Sequence, residues 1–117
     1  MRAPTALAVA LLAATAPAAG TVSTPEVKGQ KVLLENERVR VVEFVLQPGI
    51  AMGMHEHPRD RVEITLSPGR VRVTQEDGSA QESDEKEGVV FTRASPRRHD
   101  VVNIGTAPLR AIHVELK

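Results

Sequence analysis

An all-β sandwich or barrel is the fold class this sequence predicts, on three observations. Short β-type runs recur roughly every 8–12 residues with turn residues between them. From Lys31 onward no stretch carries the 3.6-residue apolar period of an amphipathic helix. Core-forming residues are mainly Val, Leu and Ile, since Trp and Tyr are absent and Phe44 and Phe91 are the only aromatic residues of this class.

The runs follow in order. Lys31–Leu34 is a short apolar start, and Arg38–Leu46 (RVRVVEFVL) is the strongest strand. Pro48-Gly49 turns the chain into Ile50–His57. Arg61–Leu66 (RVEITL) alternates charged and apolar residues, as a half-buried strand does. Ser67-Pro68-Gly69 turns into Arg70–Gln75, and Asp77-Gly78 is a hairpin signal before a weak strand at Ser79–Glu82. Asp84–Glu87 reads as a solvated acidic loop. Gly88 opens Val89–Arg93, Ala94-Ser95-Pro96 turns, Asp100–Ile104 follows, and Leu109–Leu116 ends the series after a turn at Gly105–Pro108.

The first residues read differently. Arg2 precedes an unbroken apolar run, Ala6–Ala14, and small residues at Ala16–Ala19 offer a cleavage site. That three-part layout is expected of a secretory signal at residues 1–19, and the run is too short to span a bilayer. An Ala-rich core helix is the alternative, which Pro17 and Gly20 end abruptly. Residues 20–30, polar around Pro25 and Gly29, then form an N-terminal arm, and 31–117 form one β domain. The expectation is export, to the periplasm in a Gram-negative cell and otherwise into the medium.

Composition narrows the partners. Cysteine is absent, so neither a lipid-anchored lipoprotein nor a disulfide framework is available, and bound metal or dimerisation is the natural supplement to so small a core. Removing Arg2 from the 15 basic residues leaves 14 against 15 acidic ones. That balance exerts no general pull on nucleic acid or an anionic membrane. Neither partner is expected, and flat aromatic platforms for sugars or bases cannot be built. A homodimer is expected, because a small open barrel leaves sheet edges that a second copy can cover. The arm is a candidate for exchange across it.

One constellation has the ingredients for chemistry: Gly49, five residues, His55-Glu56-His57, then Gly69, with His99 and Asn103 further on. On a strand His55 and His57 would face the same way, with Cα atoms about 6.6–6.8 Å apart. Two such imidazoles can close on one metal ion, and a third nitrogen from a neighbouring strand completes a facial set with open positions.

This pattern resembles the cupin superfamily. Its first motif is a glycine, five residues, His-x-His, three or four residues, a glutamate, six residues and a glycine; Gly49, His55, His57 and Gly69 match. Its second is a glycine, five residues, Pro-x-Gly, two residues, His, three residues and Asn; Gly88, His99 and Asn103 match, while Ala94 and Pro96 replace the Pro and Gly. The resemblance implies a double-stranded β-helix, or jelly-roll, barrel and a metal shell of His55, His57 and His99. Counted four residues from His57 and six back from Gly69, the glutamate position is Val62. Asp60 and Glu63 are the nearby carboxylates. Glu63 is one residue off, which by strand alternation points it to the opposite face, and Asp60 has the right parity but precedes the strand.

Other residues near the motifs receive plainer readings. Met52 and Met54 have parity opposite to the histidines and are expected in the core, with a soft copper site as the alternative. His113 lies outside both motifs and reads as structural, and Arg97 and Arg98 read as solvated charges.

Three neutral imidazoles leave a divalent ion uncompensated, which favours a small anionic ligand. The ion itself (Fe, Mn, Zn, Ni or Cu) is left open. The resemblance implies an iron-type dioxygenase on a small anionic metabolite, a non-catalytic metal-dependent binding module, or a metal-free structural barrel. Epimerases of this fold resemble proton-transfer machines built on His and Tyr, and no Tyr exists here. Metal hydrolases want a general base beside the bound water, and Val62 removes the obvious one.

Overall fold

The computed structural model describes residues 27–117. The expected signal at 1–19 and the arm as far as residue 26 lie outside the described residues.

Among the described residues nine strands form two antiparallel sheets: β1 (Gln30–Glu35), β2 (Val39–Leu46), β3 (His55–His57), β4 (Arg61–Thr65), β5 (Gly69–Gln75), β6 (Ala80–Glu85), β7 (Gly88–Thr92), β8 (Ser95–Asn103) and β9 (Leu109–Leu116). One sheet runs β1-β2-β9-β4-β7 and the other β3-β8-β5-β6. The β pattern read from the sequence is the observed one, with no helix among the described residues.

Strand alternation sets what faces inward. On β2 the buried residues are Val42, Phe44 and Leu46, every second position. Val27 joins Val42 and Phe44 in the core, with Met52 packed against them. The end of the expected arm therefore sits on its own barrel. Lys28 N–H donates to Met52 O at 3.1 Å, and Val45 N–H to Gly29 O at 3.0 Å. Gly29 has φ +80°, and a Cβ there would collide with Val45 O, so the close approach requires glycine.

Three boundaries differ from the sequence reading. Only His55–His57 of the expected strand Ile50–His57 is regular, because Gly53 at φ +95° breaks the alternation ahead of it. The stretch before it still lies along β8, through Met52 N–H to Val101 O (2.9 Å) and Gly49 N–H to Asn103 O (2.7 Å). The acidic stretch at Asp84 is partly strand, because arginines across the ladder neutralise it. Arg70 reaches Asp84 and Arg72 reaches Glu82, each at 2.8 Å. Finally, β8 begins at Ser95, inside the expected turn. Its first residues pair irregularly with β3, a place where Pro96 is tolerated.

Asn103 closes the end of β8. It is fully buried, its Nδ2 donates to Leu46 O (2.9 Å) and Ala107 O (2.8 Å), and its Oδ1 accepts from Gly105 N–H (2.9 Å). The amide thus ties the end of β2 to the β8–β9 turn, and each group orphaned by its loss would cost about 1–3 kcal/mol. Gly69 has a packing reason, since a Cβ there would collide with the Leu109 side chain.

Candidate metal centre

The β3–β8 pairing sets His55 directly opposite His99, and His57 follows on the same short strand. Ring centroids are 4.9 Å apart for His55–His57, 4.7 Å for His55–His99 and 5.1 Å for His57–His99. One donor nitrogen from each ring lies within 4.8 Å of the others. Three imidazoles on one ion at about 2.1 Å per nitrogen would hold their centroids ~4.6 Å apart at right angles and ~5.3 Å apart at the tetrahedral angle. The observed triangle falls in that interval, so the three rings fit a shared ion.

Their protonation suits the task. Nδ1 of His55 lies 2.7 Å from Gly53 O. A carbonyl oxygen only accepts, so Nδ1 carries the proton and Nε2 presents a lone pair. Burial lowers the His57 pKa to about 2, with the Arg61 charge the next cause and the neighbouring imidazoles after it. Burial also lowers His99, with His55 next. Both rings are thus free bases, the form that binds metal.

The carboxylate readings change. Arg61, Glu63 and Thr65 line the cavity that holds the histidines, and alternation turns Val62 and Ile64 outward. Glu63 therefore faces inward, contrary to the parity expected from the motif count. It is held in an ion pair with Arg61 and lies outside the group of rings that can share an ion. Asp60 faces away: it accepts from Ala94 N–H at 2.8 Å and pairs with Arg93 at 3.2 Å. The inward position beside His57 is Arg61, which sequence reasoning missed. The signal was available, because the motif's three-residue spacing after His57 lands on Arg61 rather than Val62.

The cavity, about 340 Å³, lies between the two sheets. Apolar walls come from Phe44, Leu46, Met52, Val71, Val73 and Val101. Met52 reaches it against the parity expectation, for the reason already seen at Gly53. His113 also lines it, from the β9 position paired with Glu63, with its ring 4.6 Å from that of Phe44 and 5.9 Å from that of His57. Arg97 and Arg98 do not line it; Arg98 pairs with Glu76 at 3.6 Å.

Solved structures similar to the chain share this architecture. A cupin domain from Bordetella pertussis is 26% identical, with 75% of this chain and 91% of that one covered at a TM-score of 0.68. A conserved protein with a double-stranded β-helix domain from Klebsiella pneumoniae is 22% identical, covering 74% of each chain at 0.59. An RmlC-like cupin family protein from Methanocaldococcus jannaschii is 22% identical, covering 74% of this chain and 77% of that one, also at 0.59. No protein-family model and no curated protein matches the sequence. Two antiparallel sheets around a cavity, with three histidines converging on its wall, define a double-stranded β-helix barrel with a candidate metal centre. The chain has the fold of a small cupin.

Burial also makes the metal-free barrel sensitive to acid. His113 is lowered to about 4, chiefly by desolvation and against the opposing pull of Glu63. Between its unfolded value near 6.5 and that folded value, the unfolded chain binds a proton that the folded chain refuses. This contribution to stability is complete above about pH 6.5 and is lost as pH falls toward 4. In chelator, denaturant melts should show the parent losing stability faster than a His113→Leu variant, by about 1.4 kcal/mol per unit between pH 6 and 4.5. Parallel pH slopes would mean that His113 titrates normally.

Proposed function

We propose that this cupin binds one divalent metal through His55, His57 and His99 and takes a small anionic metabolite at the ion's open positions. Its reaction is proposed to be oxygen-dependent oxidation of that metabolite, of the dioxygenase type. The observation that carries the reading is the convergence of three histidines, with no carboxylate of the described residues joining them, on the wall of a largely apolar cavity. A neutral donor set leaves the ion's charge to be balanced from outside, which selects an anion. A bound iron ion would supply Lewis acidity and one-electron chemistry to that anion. The chain's own residues hold the donor nitrogens, keep His57 and His99 unprotonated and surround the ligand with apolar walls. Hydrolysis fits less well, since Glu63 is engaged by Arg61 and Asp60 faces away.

Mass spectrometry of residues 20–117 purified without chelator tests the centre, beside a His57→Ala variant. The parent should carry near one equivalent of metal, with most of it lost in the variant. Iron-loaded parent should then consume oxygen with a small carboxylate, thiol or diketone. Ligand bound and released unchanged would make the protein a carrier. No metal even after reconstitution would leave a metal-free barrel.

Export of the chain and its assembly as a homodimer are proposed as well. The edge strand β7 supports the second, because Val89, Val90 and Phe91 are all more than half exposed there. Protein recovered from the periplasm or medium should begin near Gly20 and sediment at twice the chain mass. Retention in the cytoplasm contradicts export, and a monomer mass contradicts the dimer.

A further inference from the structure

Three buried side-chain nitrogens among the described residues have no hydrogen-bond partner: Nε and Nη1 of Arg61, and Nδ1 of His113. Both residues line the histidine cavity. Buried polar groups are nearly always paired, so their concentration on one wall indicates a polar group that the protein alone does not supply.

Arg61 is the informative member. Its side chain is 7% exposed, and its contact with Glu63 runs through Nη2 alone. Nε and Nη1 carry three of the guanidinium's five N–H donors. Other arginines of the barrel are held differently. Arg40 gives Nη1 to both oxygens of Glu115, and Arg110 gives Nε and Nη2 to Glu43. Those two are tied into the sheet by double contacts, whereas Arg61 is held at one corner with most of its donors spare. Buried guanidinium donors without acceptors are costly even beside a paired carboxylate, and a further carboxylate is the anion whose planar geometry matches them.

We infer that Arg61 is the anion-recognition residue of the cavity and that the ligand is a small carboxylate with an apolar body. The carboxylate accepts from the free guanidinium donors, Glu63 positions the guanidinium through Nη2, and the body lies against Val71, Val73, Val101 and Met52. This names the ligand class for the site proposed above. It rests on that reading only in taking the cavity as a small-molecule site, since Arg61 binds a carboxylate with or without the metal.

Calorimetric titration of the full mature chain tests it, in metal-free and zinc-loaded forms, with 3-methylbutanoate and its neutral isostere 3-methylbutanamide as probes. The parent should bind the carboxylate in both forms, and the amide at least about tenfold more weakly. Arg61→Gln should lose a similar factor for the carboxylate and much less for the amide. Arg61→Lys, which keeps the charge but not the fork, should fall between them. Thermal melts confirm that each variant is folded.

Equal binding of acid and amide, no binding of the acid in either form, or a folded Arg61→Gln that binds it like the parent would each overturn the inference. Carboxylate binding that needs zinc and ignores Arg61→Gln would assign the anion to the metal, sinking this inference while sparing the metal centre. Carboxylate binding through Arg61 in a protein that takes up no zinc would do the reverse.

Discussion

Antiparallel pairing of β8 with β3 on one side and β5 on the other is the constraint on which the rest of this structure depends. It brings His99 opposite His55, although more than forty residues separate them in the chain, and it sets Gln75 across from His99 on the β5 side. The same strand ends at Asn103, whose buried amide spans from β2 to the β8–β9 turn. A slip of one residue would turn every side chain of β8 to the other face and remove His99 from the cavity. The second motif's Asn therefore serves the site from a distance, by holding the register in which its His is useful.

Burial then sets the chemistry. Removing His57 and His99 from water favours their neutral forms, and the Arg61 charge reinforces this at both. The result is a set of free lone pairs beside a guanidinium that is itself short of partners. Two features that would repel one another as bare cations, a divalent ion and Arg61, become compatible when an anion lies between them. The cavity's polar wall is thus incomplete by itself, whereas its apolar wall of valines, leucine and phenylalanine is already packed.

Much of this was legible in the sequence. RVRVVEFVL and LRAIHVEL announce strands by alternation and composition, and they form the longest unbroken pairing in the larger sheet, Val39–Leu46 against Leu109–Leu116. His55, His57 and His99 follow from motif spacing, because strand period and barrel topology are regular enough for counting to find them. Counting failed where the backbone is irregular. Gly53 at positive φ turned Met52 into the cavity, and the segment between His57 and Arg61 moved the inward parity from Val62 to its neighbours Arg61 and Glu63. The acidic run at Asp84 hid its strand because its stability comes from Arg70 and Arg72 across the ladder, a non-local pairing that no local pattern reports. The place of His113 on the cavity wall was hidden because nothing in its neighbourhood of sequence shows that β9 lies beside β4.

The central claim is that three imidazoles share one ion. X-ray absorption at the metal edge of the zinc-reconstituted mature chain tests it most directly. The account predicts three imidazole nitrogens at about 2.0–2.1 Å, with the multiple-scattering signature of histidine rings and the remaining positions filled by light oxygen donors. A first shell with sulfur from Met52 or Met54, or one dominated by carboxylate oxygen with fewer than two imidazoles, would contradict it.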